Sequence, residues 1–473
     1  MNEQRYAAAK STLEDHGQSH LLTFYDQLGP VSKQQLLEQI ESVDWDRIDR
    51  LIKSHVKDKP AFELPDALEP APFYPATPTS ELELKYAEAK DLGEEMLRDG
   101  KVAAFVVAGG SGTRLGWGGP KGTFPASPIE EKPLFQIFAE AIIKAQNKYG
   151  CTIRWYVMTS PANDAATRKF FAQHNHFGLK PENVVFFAQG TMPSIGYDGK
   201  VLLDEPDSIA LNADGHGGSL RALVKSGALD DMETRGIAHI SYFQVDNPTV
   251  KIIDPLFLGL HALDGAQMSS KMVAKEYGKE KLGNFCLIDG KMTIVEYSDL
   301  PDELAEERLE DGSLRFRAGS PAIHVIEVAF VRELNEGGDL HLPYHRADKK
   351  VPHVDLEDGR MHEPTEPNAV KLEQFVFDAL PLTRHSIVLQ TTREEEMAFI
   401  KNAEGESSPA TSKQLQSDRA CRWLEAAGVN VPKKDDGSYD CTVELSHLTA
   451  IAPEDLQDAD LPAKIEPGAR LSL

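Results

Sequence analysis

The stretch from Lys101 to Lys121, KVAAFVVAGGSGTRLGWGGPK, constrains the fold of this chain more than any other. Its first part, Val102–Val107, is an apolar run as long as one buried strand of a parallel sheet. The run breaks into glycines, which let backbone N–H groups approach an anion closely. Two cations, Arg114 and Lys121, follow. A strand, a glycine turn and flanking positive charges predict a site for a polyphosphate.

Two common glycine loops do not match this stretch. A Walker A loop places its lysine after a glycine, whereas Lys121 follows Pro120. The dinucleotide fingerprint G-x-G-x-x-G fails because Gly110, Gly112 and Gly116 have one residue too many between the second and third glycine. For the glycines taken alone, a tight corner between a strand and a helix stays an alternative interpretation.

Composition restricts the class of protein and of ligand. The chain has 473 residues, enough for two or three domains, and 41% are hydrophobic, as in ordinary globular proteins. Fifty basic against 75 acidic residues give a net charge of −25, which argues against nucleic-acid or membrane partners. An anionic substrate must therefore be attracted by a local basic pocket. Because no signal peptide, membrane span or cysteine framework is evident, we predict a cytoplasmic protein.

The pattern of apolar residues changes at Lys101. Before it, apolar residues recur at helical spacing over residues 1–58, and a proline-rich connector, whose Phe62, Phe73 and Tyr74 are expected to lie against the surface, follows. A further helix is predicted over 80–97 with Ser80 as its N-cap. The elements predicted after Lys101 are strands at 102–107, 153–159, 184–187, 239–245 and 386–390, helices at 133–149, 163–173, 371–380 and 411–428, and antiparallel strands over 270–330.

Strands that alternate with helices predict an α/β fold. We expect a doubly wound, mostly parallel mixed sheet, with ligands beyond the carboxyl ends of the strands. Three parts are predicted: a helical N-terminal extension with the connector (1–95), a catalytic core (96–380) and a C-terminal part (381–473).

The complete glycine motif is more specific than its parts. AGGSGTRLG followed by PKG resembles the G-x-G-T-R-(x)n-P-K signature of the sugar nucleotidyltransferases. Together with VDN at Asp246, DGHGGSL from Asp214 and VEYS at Glu296, it makes the chain most similar to the eukaryotic-type UDP-sugar pyrophosphorylases. These are the UDPGP type 1 uridylyltransferases, which include UDP-N-acetylglucosamine and UDP-glucose pyrophosphorylases. The resemblance covers residues 80–428.

This resemblance implies an activity and a Rossmann-like nucleotide-diphospho-sugar transferase fold. UTP and a sugar 1-phosphate would form UDP-sugar and pyrophosphate by direct in-line attack on the α-phosphate, assisted by Mg²⁺ or Mn²⁺. Asp246, after a predicted strand, would bind the metal. The amide of Gln189 complements the O4 and N3–H edge of uracil.

The resemblance also implies which residues contact each part of the substrates. The UTP-binding residues are Ala108, Gly109, Gly110, Lys121, Gln189, Gly215, Asp246 and Lys371. The sugar-binding residues are His216, Glu296, Ser320, Phe375 and Phe377. The catalytic residues are Arg114, Lys121 and Lys401.

Two departures from the family pattern leave the sugar open between an N-acetylhexosamine and a hexose. N-acetylglucosamine enzymes usually have G-N-G-G where this chain has Gly215-His216-Gly217, which is closer to the UDP-glucose pattern. The family's G-N-I-x-N-H is replaced by the sequence from Gly319 to His324, which keeps the glycine and histidine but neither asparagine. Buried amides that contact a sugar discriminate strongly between substrates.

Two other functions remain as alternatives. A UDP-sugar-dependent glycosyltransferase would usually carry a D-x-D metal motif, which Asp246-Asn247-Pro248 is not. A non-catalytic UDP-sugar-binding protein would tolerate loss of the phosphate-binding cations. This chain has all four of them: Arg114, Lys121, Lys371 and Lys401. UTP and a sugar 1-phosphate are the expected partners, and both a monomer and a dimer are compatible with the sequence.

Overall fold

The computed structural model describes residues 2–59, 64, 67–338 and 340–473. The chain divides into two compact units, each built from separate stretches of sequence. Unit 1 comprises Met1–Glu63, Gly190–Gly218 and Leu342–Val376, and unit 2 comprises Leu64–Gln189, Ser219–His341 and Phe377–Leu473. The domain boundaries placed after residues 95 and 380 from the sequence stay predictions.

Helices occur along most of the chain. The α-helices are α1 (Asn2–Asp15), α2 (Pro30–Ser42), α3 (Trp45–Leu51), α4 (Glu83–Arg98), α5 (Leu134–Tyr149), α6 (Asp164–Gln173), α7 (Gly218–Lys225), α8 (Ala228–Thr234), α9 (Pro255–Leu263), α10 (Asp302–Ala305), α11 (Val328–Leu334), α12 (Arg393–Glu396) and α13 (Pro409–Ala426). A π-helical turn, Ile52–Lys57, continues α3, and 3₁₀ turns include Thr113–Leu115, Lys121–Thr123 and Val376–Leu382. Within the described residues, no helix has both the length and the apolar character of a membrane span.

The strands are short and mostly begin after residue 100. They are β1 (Leu68–Pro70), β2 (Val102–Val107), β3 (Trp155–Thr159), β4 (Val184–Ala188), β5 (Thr191–Pro193), β6 (Ile195–Gly196), β7 (Leu203–Glu205), β8 (Ser208–Ile209), β9 (Leu211–Ala213), β10 (His239–Gln244), β11 (Met268–Ala274), β12 (Asn284–Ile288), β13 (Lys291–Val295), β14 (Ala318–Gly319), β15 (His324–Glu327), β16 (His345–Lys349), β17 (His353–Val354), β18 (Met361–His362), β19 (Ala369–Glu373), β20 (Val388–Gln390), β21 (Cys441–Glu444) and β22 (Ala469–Ser472).

A large mixed sheet forms the centre of unit 2. Its strands follow the order β1-β12-β14-β11-β15-β10-β2-β3-β4, with β13 paired to β12 and β20 to β11. The pairs β10-β2, β2-β3, β3-β4 and β11-β20 are parallel, whereas the other pairs of this sheet are antiparallel. The predicted α/β fold and the antiparallel region over 270–330 are confirmed.

Both faces of β2 are covered, as a doubly wound sheet requires. Val102, Ala104 and Val106 belong to an apolar cluster with side chains of α4, α5 and α9. On the other face, Ala103, Phe105 and Val107 are buried as well, and the Phe105 ring lies beside that of Tyr242 in the neighbouring strand β10, with centroids 5.4 Å apart. All six residues of β2 are buried, which explains why the run is continuously apolar rather than alternating.

Helices α4 and α9 pack closely because each contains a glycine at the contact. A Cβ at Gly93 would overlap the carbonyl oxygen of Pro255, and one at Gly259 would overlap that of Ala89. Glycine in a helix interior costs about 1 kcal/mol relative to alanine. Close backbone approach is the structural reason for these two residues, which propensity alone would disfavour.

Unit 1 joins the N-terminal helices to strands from the middle of the chain. Leu36, Leu37 and Ile40 of α2 share an apolar cluster with Ile195 and Leu372. The helices predicted over residues 1–58 are therefore confirmed. They pack on residues 190–218 and 342–376, which the sequence analysis had placed in the catalytic core.

The proline-rich connector is confirmed to lie against unit 2 where it is described. Tyr74 exchanges backbone hydrogen bonds with Val388 and Gln390, both 2.8 Å, and its hydroxyl donates to Asp264 Oδ2 at 2.6 Å. The Arg317 guanidinium lies 5.2 Å from the ring centroid of Phe73. Pro60, Phe62 and Pro65 of the connector lie outside the described residues.

Two element predictions are wrong. Residues 371–380 are not a helix: β19 pairs with β16 on one side and β6 on the other, and the 3₁₀ turn Val376–Leu382 follows. The apolar residues at 372, 376 and 380 fit a helical period, but residues 371–373 pair with β16 and continue a strand that pairs with β6 at Ala369 and Val370. Helix α4 begins at Glu83, because the Thr79 carbonyl accepts the N–H groups of Leu82 and Glu83, so Ser80 is not its N-cap.

Burial of His239 predicts a loss of stability in mild acid. The residue begins β10, and burial lowers its pKa to about 4. In the unfolded chain the pKa of this histidine is near 6.5, so as pH falls the unfolded chain is protonated at His239 before the folded protein is. The folded protein therefore loses stability relative to the unfolded chain as pH falls from about 6.5 towards 4. The loss amounts to roughly 2 kcal/mol at pH 5.

We expect His239→Gln to reduce the acid sensitivity. The free energy of unfolding in urea, measured at pH 7.5 and pH 5, should fall less in this variant than in the wild type. His174→Gln is the matched control, because His174 is exposed after α6. Equal losses in the wild type and His239→Gln would contradict the prediction.

Candidate active site

The glycine loop leaves the sheet at the carboxyl end of β2 and folds back on itself, so that Lys121 lies beside Gly110. Ala108 still donates to Met158 O at 2.8 Å, after which Gly110 O accepts the N–H of Lys121 at 3.1 Å and Gly112 donates to Gly119 O at 3.0 Å. These bonds close the loop at its base and hold Lys121 beside Gly110.

Trp117 packs under this loop. Its indole N–H donates to Thr123 Oγ1 at 2.9 Å, and a Cβ at Gly112 would lie only 2.6 Å from Trp117 Cβ. The outer side of the loop is open: Gly110 and Ser111 are exposed. Within the described part of the chain, the backbone N–H groups of Gly109, Gly110 and Ser111 have no hydrogen-bond acceptor. Such consecutive free donors suit an anion.

Asp246 lies beside the loop because β10 and β2 are parallel neighbours. Val245 donates to Val107 O at 3.2 Å, so both strands end at the same edge of the sheet. Lys121 Nζ is 3.8 Å from Asp246 Oδ2, and the two side chains are 15% and 13% exposed. Asp246 Oδ1 is buried and has no hydrogen-bond partner among the described residues.

Positive charge exceeds negative charge around Lys121. Burial lowers the pKa of Lys121; Lys401 and Arg114 lower it further, and Asp246 opposes them. Three cations therefore lie near one carboxylate. Because an anion placed here would relieve the repulsion among the cations, the cluster suits a polyanionic ligand.

Lys401 reaches this cluster through backbone contacts. Ile400 donates to Asp246 O at 2.9 Å, and the Asn247 amide donates to Glu396 O at 2.7 Å and accepts from Ala398 at 3.2 Å. Asn247 therefore fixes the segment 396–401 next to Asp246.

A buried ion cluster under this segment escaped the sequence analysis. Lys271 Nζ contacts Glu396 Oε1 at 2.5 Å and Asp254 Oδ2 at 2.6 Å. Burial alone would lower the pKa of Lys271, but the two carboxylates raise it. A lysine in a strand normally faces solvent. The sequence signal for this cluster was a lysine within the buried strand β11, which was too weak to predict a buried ion pair.

Gln189 follows β4 and lies against the glycine loop. Its backbone donates to Thr159 O at 2.9 Å, and its side chain is 7% exposed. A Cβ at Gly109 would overlap Gln189 Oε1. The amide predicted to bind a base is thus placed beside the predicted phosphate loop.

Glu296 and Ser320 also come together in unit 2. Ser320 donates its N–H to Gly283 O at 2.9 Å, and a Cβ at Gly283 would lie 3.6 Å from Glu296 Oε1. Gly283, which the sequence analysis did not select, separates the two predicted sugar contacts. Phe377 belongs to unit 2 as well.

Gly215, His216, Lys371 and Phe375 are brought together in unit 1. Gly217 donates to Gln374 O at 2.7 Å, and Val376 N–H donates to His216 Nδ1 at 3.1 Å. The rings of His216 and Phe375 stack with centroids 5.2 Å apart.

Local backbone geometry explains the glycine at position 215 and the placement of Lys371. Gly215 has φ +87°, and a Cβ there would overlap Gln374 O, so no other residue fits easily. Lys371 lies in strand β19, where Nζ pairs with Glu373 Oε1 at 2.9 Å. His345, which the sequence analysis missed, stacks on Phe375 with centroids 4.3 Å apart.

Side chains alone supply few metal ligands. Within the described residues, no group of three or more His, Cys, Asp or Glu side chains is arranged to hold a metal ion. A single carboxylate with a free buried oxygen, such as Asp246, would need ligand oxygens to complete the coordination of Mg²⁺.

Comparison with known proteins identifies similar chains. Residues 32–404 match the model of the UDPGP family, described as UTP--glucose-1-phosphate uridylyltransferase. UDP-N-acetylhexosamine pyrophosphorylase-like protein 1 of Xenopus tropicalis is 38% identical over 435 residues, covering 88% of this chain and 84% of that protein. The UDP-N-acetylglucosamine pyrophosphorylase of Saccharomyces cerevisiae is 35% identical over 463 residues, covering 94% and 96%.

A solved structure shares the fold over nearly the whole chain. The crystal structure of the uridine diphosphate N-acetylglucosamine pyrophosphorylase of Trypanosoma brucei superposes with a TM-score of 0.82 at 24% identity. The match covers 98% of this chain and 97% of that one.

The contact between Gly109 and Gln189 predicts different effects of alanine at neighbouring glycines. Gly109→Ala should lower the free energy of unfolding by about 1 kcal/mol, because the buried Gln189 side chain must move. Gly110→Ala is the matched control: a Cβ there meets nothing within 4 Å, and the change should stay below about 0.5 kcal/mol. Urea denaturation of both variants measures this, and equal effects would contradict the predicted contact.

Proposed function

Because the chain belongs to the UDPGP family of uridylyltransferases, we propose that it transfers the uridylyl group of UTP to an N-acetylhexosamine 1-phosphate and releases pyrophosphate. The observation that carries this proposal is the contact between Lys121 and Asp246 beside the free N–H groups of the glycine loop, with Lys401 and Arg114 near enough to lower the pKa of Lys121. In a chain of net charge −25, such an arrangement suits a triphosphate.

The reaction needs positioning and charge stabilisation more than a covalent nucleophile. An oxygen of the sugar 1-phosphate forms a bond to the α-phosphorus of UTP, and the bond from that phosphorus to the bridging oxygen of the β-phosphate breaks. Pyrophosphate leaves with the negative charge. We assign Lys121 to the charge that develops on the transferred phosphoryl group, and Arg114 and Lys401 to the phosphates.

A divalent metal fits the donor set. The buried Asp246 Oδ1 has no partner among the described residues, and Mg²⁺ commonly takes one or two carboxylates together with phosphate oxygens. We therefore propose that Asp246 holds Mg²⁺, with Mn²⁺ as a substitute. The ion would neutralise phosphate charge when bound.

Gln189 supports uridine as the base. One amide provides a donor and an acceptor, which pair with uracil O4 and N3–H. Its contact with Gly109 would place the base next to the phosphate loop. In unit 1, Gly215 and Lys371 stay predicted UTP contacts, and His216 and Phe375 stay predicted sugar contacts.

The names of the relatives support an N-acetylhexosamine. The Xenopus and yeast proteins, at 38% and 35% identity, are named for UDP-N-acetylhexosamine and UDP-N-acetylglucosamine. Glu296 and Ser320, on either side of Gly283, are the proposed sugar contacts in unit 2. The cytoplasmic location stays a prediction from the sequence.

A panel of sugar 1-phosphates tests the proposal. The protein is incubated with UTP, Mg²⁺ and the 1-phosphate of glucose, galactose, N-acetylglucosamine or N-acetylgalactosamine, and pyrophosphate is measured. We expect the N-acetylated sugars to react at least about tenfold faster, the factor that one net hydrogen bond to the N-acetyl group would supply. EDTA should stop the reaction, and added Mg²⁺ should restore it.

Other outcomes, of this panel or of a parallel incubation of the protein with UDP-sugar, have distinct meanings. Faster reaction with the hexose phosphates would overturn the sugar assignment but keep the uridylyl transfer. Release of UDP from UDP-sugar would indicate a glycosyltransferase. Binding of UDP-sugar without any pyrophosphate from the panel would indicate a non-catalytic binding protein.

Removal of the Lys121 charge should affect chemistry more than folding. We expect Lys121→Ala to lower kcat by about 10²- to 10³-fold, the usual loss for one preorganised charge-stabilising group. Its melting temperature should change little, because burial and the neighbouring cations lower the pKa of Lys121, so the folded protein gains little from holding this charge. Lys169→Ala, at an exposed position of α6, is the control and should keep full activity. Wild-type turnover in Lys121→Ala would remove this lysine from the mechanism.

A further inference from the structure

Asn163, immediately before α6, lies against the carbonyl side of the glycine loop. Its Nδ2 donates to Ala108 O at 3.2 Å and to Gly110 O at 3.3 Å, and its Oδ1 accepts the N–H of Ser160 at 2.8 Å. The residue is 7% exposed. Since the Ser160 N–H is a donor and both loop groups are acceptors, the orientation of the amide is unambiguous.

This contact determines where the amide hydrogens of the loop point. In a trans peptide, the C=O and the following N–H point in opposite directions. Because the carbonyls of Ala108 and Gly110 point at Asn163, the N–H groups of Gly109 and Ser111 point away from it. These are two of the donors that lack an acceptor within the described residues.

The loop needs such an external constraint. Two consecutive glycines, Gly109 and Gly110, can rotate their peptide planes at little steric cost. Gly110 O has a second donor, the N–H of Lys121 at 3.1 Å, but that bond leaves the Ala108–Gly109 peptide unrestrained. Asn163 holds both peptides through one side chain.

We propose that Asn163 is a positioning residue for the triphosphate, which it never touches: it orients the Gly109 and Ser111 N–H groups towards the phosphates of UTP. This inference rests on the proposed function. Loss of the amide lets these peptide planes rotate, so the phosphates lose preorganised donors while contacts to the base are kept.

The test compares two nucleotides that differ in their phosphates. Dissociation constants of UTP and UMP are measured by calorimetry with Mg²⁺, and the ratio Kd(UMP)/Kd(UTP) reports the part of the affinity that the additional phosphates supply. We expect Asn163→Ala to lower this ratio by about tenfold, the effect of roughly one to two hydrogen bonds. A purely structural role would weaken both nucleotides alike and leave the ratio unchanged.

A second variant separates the two sides of the amide. Asn163→Asp keeps the acceptor for the Ser160 N–H, and thus the start of α6, but loses both donors to the loop. We expect it to lower the ratio at least as much as Asn163→Ala. A wild-type ratio in Asn163→Asp would overturn the inference, also if Asn163→Ala fails to fold.

Two further variants serve as controls. Asn335 is a matched amide: its Nδ2 donates to the carbonyls of Val331, at 2.8 Å, and Leu220, at 3.4 Å, at the end of α11, and Asn335→Ala should keep the wild-type ratio. Gln189→Ala should weaken UTP and UMP by the same factor. If the wild-type protein binds no UTP, the proposed function fails; if it binds UTP and Asn163→Ala keeps the ratio, only this inference fails.

Discussion

The functional interpretation depends on the ion pair between Lys121 and Asp246 and on the excess of positive charge around it. Asp246 follows β10, and Lys121 lies in the 3₁₀ turn after the glycine loop that leaves the parallel neighbour β2. Lys401 and Arg114 add two cations near a single carboxylate. The repulsion among these cations supports the proposal that a triphosphate binds here, in a protein that is acidic as a whole.

This cluster depends on a buried polar network behind it. Asn247 and the buried pair of Lys271 and Glu396 hold the segment that ends in Lys401. Asp254 completes the network: burial alone would raise the pKa of this carboxyl, but Lys271 and Lys251 lower it to about 2. Breaking one partner of such a pair typically costs about 3–5 kcal/mol. The position of the exposed Lys401 thus depends on the buried charges of Lys271 and Glu396.

Secondary structure could be predicted from the sequence for some elements and not for others. Continuous apolar runs such as β2 and strongly periodic helices such as α5 have one interpretation, and both are confirmed. Residues 371–380 have two interpretations: apolar residues four apart fit a helix, whereas the pairing of residues 371–373 with β16 cannot be recognised in the local pattern. Ser80 was a plausible cap in sequence, but the Thr79 carbonyl closes the turn before α4.

The candidate site shows the same division. The ordered motifs around Gly109, Lys121 and Asp246 were sufficient to indicate the family and the residue types for a uridylyl transfer. Asn163, Gly283 and Lys271 could not be selected, because each acts through a contact with a residue distant in sequence.

By itself, the sequence determined the residue types of the candidate site: the glycine loop, its cations and the carboxylate are local patterns that can be recognised without knowledge of the fold. Only the tertiary structure decided which groups meet. Residues 1–63 join 190–218 and 342–376 in one unit, and the amide of Asn163 orients a loop more than fifty residues away, because hydrogen bonds and packing act across distances in sequence that no local period records.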